Sequence, residues 1–190
     1  MSKAYFEKMV GSNIHRDGID DLMNWLRGTD FYEAPASTKY HLNRRHGLCD
    51  HSCNVFDRLE TLCANEIRLT EGFAPNIETI AIVGLFHDIC KVNYYSLEMR
   101  DRRVDGKWQK VPLYEIRDDF PLGHGEKSVY ILRRFMDLTD EEALSIRWHM
   151  GAWVEKDTRT MQLAMEQYPL VVLTQVADLQ ATYIDEGVRK

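Results

Sequence analysis

The chain has 190 residues, of which 44% are hydrophobic and 28% charged. That is the length of one domain and the composition of an ordinary globular protein, and it excludes a disordered chain. The net charge of -6 excludes broad, non-specific coating of nucleic acid, which needs a basic face. It leaves room for a nucleotide or a strand end held locally by metal and a few basic residues. No segment approaches the roughly 20 apolar residues of a membrane span, and MSKAYFEKMV has no apolar signal core. The expected location is the cytoplasm, with no membrane partner. Cys49, Cys53, Cys63 and Cys90 form no CxxC pair and are expected to be reduced core residues.

In chain order, residues 18–27 predict a short amphipathic helix ended by Gly28, and residues 30–46 a loop containing Pro35, Ser37 and Thr38. A long helix is predicted from Gly47 to about Leu69. Val55, Leu59 and Leu62 follow helical spacing, and His51 lies within about 80° of all three, so it points inward. Gly72 and Pro75 close this segment. NIETIAIVGLFHDICKV predicts one helix over residues 76–92. Residues 98–119 change character, and Asp105-Gly106 between RDRRV and KWQKVPLYEI predicts a β-hairpin with a type I′ turn. Helix returns from His124 to about Met136. Thr139 and Glu142 then predict a capping box for a helix reaching His149. The last helix, PLVVLTQVADLQATYI, is apolar on most sides up to Asp178 and is expected to be central. The fold class is all-α with one small hairpin at about 98–119.

The inward or helix-terminal positions that carry metal-ligand types are His51, His87, Asp88, His124, His149 and Asp178. Imidazoles and carboxylates together suit borderline divalent metals. Asp178 follows an apolar run, and a buried carboxylate there needs a partner or a metal. An Asp directly after a His has a second oxygen free to reach a second ion, which is how two ions about 3.5–4 Å apart are held. No GxSxG, P-loop or GxGxxG competes with this pattern.

The ordered set resembles the HD-domain superfamily of metal-dependent phosphohydrolases. The resemblance is carried by GLCDHSCNVF around His51, IVGLFHDICKV around His87-Asp88 and QVADLQAT around Asp178. PLGHGEKSV and IRWHMG resemble the segments that supply extra histidines in two-metal members. It implies one HD-type domain over 1–190, with a metal-site core at about 35–184. It implies a first ion on His51, His87, Asp88 and Asp178, and a second on His124 and His149, with Asp88 bridging. The ions would be divalent transition metals, of which Fe, Mn, Ni or Co are expected and Mg or Zn are the alternatives. Lys91 matches the HDxxK lysine that contacts substrate phosphate. Upstream, APASTKYHLNRRHGLCDHS is similar to the HD domain of certain bacterial 3′→5′ exoribonucleases. It departs from them in lacking a preceding OB-fold and in having His46-Gly47 where they commonly have Gly-Gly.

The expected activity is therefore hydrolysis of a phosphoester, of a nucleotide or a small nucleic-acid end, by attack of metal-bound hydroxide. Asp88 and Lys91 are the expected catalytic residues, and Lys39, His41, Lys91 and Tyr94 the expected substrate contacts. The alternatives are a 3′→5′ exonuclease on single strands and a non-catalytic nucleotide-sensing module. Arg44 and Arg45 are candidates for a phosphate-facing rim. Glu126 is a candidate to orient a ligand histidine or carry a proton.

Overall fold

The computed structural model describes residues 2–151 and 158–187, and the described chain is mostly α-helical with one two-stranded hairpin. Among the described residues, no helix is long and apolar enough to cross a membrane. The first element, α1 (Ser2–Asn13), has no counterpart among the predicted elements. Its signal is Phe6 and Val10, followed by Ile14 just beyond the helix, apolar at four-residue spacing and all buried. Helix α2 (Ile19–Arg27) and the loop over 30–46 lie where the composition puts them. That loop is not all surface, because Phe31, Tyr32, Ala34 and Ala36 are buried.

The frame of the molecule is α3 (Gly47–Glu66) packed against α4 (Ile77–Phe86). Helix α4 buries every residue from Thr79 to Phe86, and Asn76 caps it by accepting a hydrogen bond from the Thr79 amide. The two helices meet where α4 has no side chain. A Cβ on Gly84 would lie 2.7 Å from Phe56 Cα. Gly84→Ala must push the helices apart, and it is expected to cost about 1–3 kcal/mol of stability through overpacking. A thermal melt checks this, and an unchanged midpoint would mean the contact can relax.

The helix predicted over 76–92 is shorter than expected. It ends at Phe86, and a 3-10 turn follows at Ile89–Lys91. Asp88, between them, takes φ -103° and ψ 16°, in the sparsely populated bridge region. From this backbone the Asp88 carboxylate reaches Lys91 and the histidines.

The hairpin forms as expected but three residues earlier, as β1 (Tyr95–Val104) and β2 (Lys107–Ile116). The turn sets the register. Asp105 and Gly106 have φ of 50° and 80°, the two positive values a type I′ turn needs. Pairing then runs back symmetrically from Val104↔Lys107 to Tyr95↔Ile116. Its root is tied down by the Tyr95 hydroxyl, which donates to the Ala36 carbonyl at 3.2 Å.

Helix α5 (His124–Leu132) stops earlier than expected. Helix α6 (Asp140–Arg147) has the expected capping box but ends two residues before His149. Helix α7 (Thr158–Gln167) lies outside the predicted elements. Helix α8 (Pro169–Gln180) packs against α3, α6 and α7. It is less enclosed than its apolar sequence implies. Leu170, Val171, Thr174, Ala177 and Asp178 face inward, while Val172 and Leu179 are exposed.

Candidate metal centre

Three helix ends meet the inner faces of α3 and α8. His87 and Asp88 sit just past α4, His124 is the first residue of α5, and His149 lies just past α6. His51 comes from the interior of α3 and Asp178 from α8. All but His124 are buried. The four histidines converge on Asp88. Its Oδ2 lies 3.6 Å from His51 Nε2 and 3.7 Å from His87 Nε2. Its Oδ1 lies 2.8 Å from His124 Nε2 and 3.4 Å from His149 Nε2. Asp178 Oδ1 is 3.2 Å from His51 Nε2.

All four imidazoles present Nε2 to this centre, because each Nδ1 is engaged behind it. His87 Nδ1 is 2.9 Å from the Gly84 carbonyl and His149 Nδ1 is 2.7 Å from the Ile146 carbonyl. A carbonyl only accepts, so these two rings carry the proton on Nδ1 and a lone pair on Nε2. His124 Nδ1 is 3.3 Å from Cys90 Sγ, and His51 Nδ1 is 3.1 Å from both oxygens of Glu186. The Nε2 atoms of His51 and His87 face each other at 3.2 Å. Two imidazole ligands of one ion lie roughly 3.0–3.4 Å apart when each bond is about 2.1 Å.

Charge has the same pattern. Burial alone would raise the Asp88 carboxyl, but Lys91, His87, His124 and His149 outweigh it and hold it well below the ordinary range. Burial likewise opposes the Asp178 anion, and His51 overrides it, so that carboxyl is also depressed. His87 falls to about 3, chiefly through burial, and His124 is lowered for the same reason. His51 is the exception. Burial lowers it, but hydrogen bonds and charge from Asp178 and Glu186 raise it to about 10. The centre thus gathers three buried carboxylates, Asp88, Asp178 and Glu186, against the Lys91 ammonium and the His51 imidazole that two of them favour in its charged form. It prefers a cation among them. His149 Nε2 is buried without a hydrogen-bond partner, as an acceptor awaiting a Lewis acid would be. The donor set therefore fits a divalent metal, and the groupings His51–His87–Asp88 and Asp88–Cys90–His124 could each hold one.

The other expected site residues separate into two groups. Lys91 is buried, and its Nζ donates to Asp88 Oδ2 at 2.5 Å. His41 is half-buried with its ring 4.6 Å from that of His51 and its Nε2 4.0 Å from Glu186. Tyr94 lies edge-on to Tyr95, beneath the Lys127 ammonium. Lys39 is exposed and has no hydrogen bond or ion pair among the described residues. The basic rim is neutralised, since Arg44 pairs with Asp50 and Arg45 with Glu33. Glu126 pairs with Arg147. Cys90, expected as a packed core residue, touches the centre through His124. Glu186, an acid eight residues after Asp178 whose only sequence signal is that spacing, touches it through His51.

The centre is most open to solvent at His124. The His124 side chain is 27% exposed, against 1% for His51 and His149. Two clefts of about 410 and 640 Å³ lie elsewhere, and the second reaches only the back of Glu186.

No curated protein and no solved structure matched the chain. A protein-family model, the HD domain, matches residues 48–181. That span is more than two thirds of the chain and contains all six convergent residues. The family is a superfamily of metal-dependent phosphohydrolases, and this chain belongs to it.

Proposed function

We propose that the protein hydrolyses a phosphoester of a nucleotide at a centre of two divalent ions, held within one HD-type domain. The observation that carries this reading is the Asp88 carboxylate. One oxygen faces His51 and His87, and the other faces His124 and His149. A carboxylate so divided can serve two ions at once. His51, His87, Asp88 and Asp178 would hold the first, and His124 and His149 would complete the second. Ions at such a site supply Lewis acidity and lower the pKa of a coordinated water.

The chain's own residues do the rest. The Gly84 and Ile146 carbonyls keep Nε2 of His87 and His149 free of a proton. Lys91 stays charged, because the pull of Asp88 exceeds the penalty of burial. Its ammonium neutralises phosphate oxygens arriving from the His124 side. Lys39 and His41, from the loop before α3, and Tyr94, at the hairpin root, are the further substrate contacts of this reading.

The test is turnover of bis-p-nitrophenyl phosphate by protein loaded with Mn, Fe, Co or Ni. Metal-dependent turnover that His87→Ala abolishes is the expected result. No turnover with any of the four ions would leave a nucleotide-sensing module as the better account. A second reading, 3′→5′ exonuclease action, has one observation in its favour. Trp108 is 74% exposed and pairs across the hairpin with Arg103, which is also exposed. A stacking residue beside a cation suits a single strand. Oligonucleotide affinity that weakens steeply with salt would support it, and no binding at low salt would end it.

A further inference from the structure

We infer that Glu186 is a positioning residue which sets the ring orientation and tautomer of His51, and that the segment after α8 acts as a clasp closing the back of the metal centre. This rests on the metal-centre reading above. Glu186 lies beyond the residues that the family model matches.

The clasp is built by the face of α3. His51, Asn54 and Arg58 are three and four residues apart, so they form one stripe along the helix. All three hold the same short segment. His51 Nδ1 is 3.1 Å from both Glu186 oxygens, and Asn54 Nδ2 donates to Glu186 Oε1 at 2.8 Å. Arg58 grips Asp185 with two nitrogens, the Nε donating at 2.8 Å. The Glu186 side chain is 1% exposed.

The backbone explains how Glu186 gets there. After α8 the chain widens into a π-helical turn over Ala181–Asp185, and the Glu186 amide donates back to the Ala181 carbonyl at 3.0 Å. Such turns recur at functional sites. This one places Asp185 and Glu186 against α3.

The consequence is chemical. An anion behind Nδ1 anchors a proton there, so that Nε2 is the nitrogen a metal would take. It also makes the imidazole a stronger donor. His87 and His149 have neutral carbonyls in that position. His51 alone has a carboxylate, so its contribution to holding a metal depends on a residue 135 positions away.

The experiment is cobalt(II) titration of the full chain, read by visible absorption and calorimetry, with circular dichroism as the check on folding. Glu186→Ala is expected to weaken cobalt affinity by roughly 10–100-fold and to shift the absorption envelope, because partners of this kind typically contribute that much. Glu186→Gln keeps an oxygen acceptor for Nδ1 and is expected to recover affinity to within a few-fold of the unmodified protein. Equal affinity and spectrum in Glu186→Ala and the unmodified protein overturn the inference. So does an equal loss in both variants, which would show that the acceptor is not what matters. Failure of the unmodified protein to bind cobalt at all would instead overturn the metal-centre reading.

Discussion

Asp88→Asn is expected to reduce metal-dependent turnover by roughly a thousandfold, equivalent to about 4 kcal/mol of lost barrier lowering. The side chain keeps its shape, so the effect isolates charge and acceptor geometry. One of two carboxylate oxygens becomes an NH2 group, which can donate only. Either the His51–His87 half or the His124–His149 half then meets a donor where it needs an acceptor. The charge that both halves share is also gone. Lys91 loses the negative charge that lay 2.5 Å from its ammonium, so a lower melting temperature should accompany the loss. The measurement is kcat on bis-p-nitrophenyl phosphate together with bound-metal stoichiometry by mass spectrometry. Wild-type turnover and stoichiometry in Asp88→Asn would refute the bridging role. Asp178→Asn is the informative comparison, because the histidine paired with Asp178 is His51, and its loss should weaken that half of the site more than the other.

The largest effect on stability is expected far from the metal centre, at Arg16. Its guanidinium binds both oxygens of Glu142, at 2.6 and 2.9 Å. Glu142 is fully buried. It also accepts from the Thr79 hydroxyl at 2.8 Å and from the Thr139 amide at 2.9 Å, closing the cap of α6. One carboxylate thus joins the segment after α1, the first turn of α4 and the start of α6. Arg16→Ala leaves that anion buried without its cation. The expected cost is about 3 kcal/mol, the low end for breaking a buried pair because Arg16 itself is partly exposed. For a chain of this size that is a fall of about 6–12 °C in melting temperature.

The same pair predicts a pH dependence. Burial pushes the Glu142 carboxyl up, but Arg16 and the hydrogen bonds from Thr139 and Thr79 outweigh it, and the result lies below its ordinary value of 4.5. A carboxyl depressed on folding contributes stability that is present above the ordinary value and lost as pH falls through the depressed one. Denaturation of the wild type and Arg16→Ala should therefore converge on acidification below about 4.5. A constant gap down to the acid transition would show that the pair acts through packing and not charge.

How much of this was legible beforehand depends on the range of the interactions. The capping box at Thr139 and Glu142 and the Asp105-Gly106 turn are local, and both form as their residues dictate. The inward direction of His51 followed from its spacing to Val55 and Leu59, which are also buried. Helix α1 is equally readable from its four-residue apolar spacing, Phe6, Val10 and Ile14. The end of α4 was not readable. IVGLFHDICKV carries no proline and no cap signal at Phe86, and the helix ends where Asp88 meets Lys91 and the histidines.

The six convergent residues, then, were set by the sequence itself, through residue type and helical position. The pair His87-Asp88 acts as one unit only because the helix stops there and frees both side chains to turn toward the same centre. Tertiary structure alone decided which nitrogen each histidine presents, since that depends on carbonyls, a thiol and a carboxylate from elsewhere in the chain. It alone brought Glu186 behind His51, across 135 positions, because no local pattern encodes a contact made by docking one end of the chain against the middle.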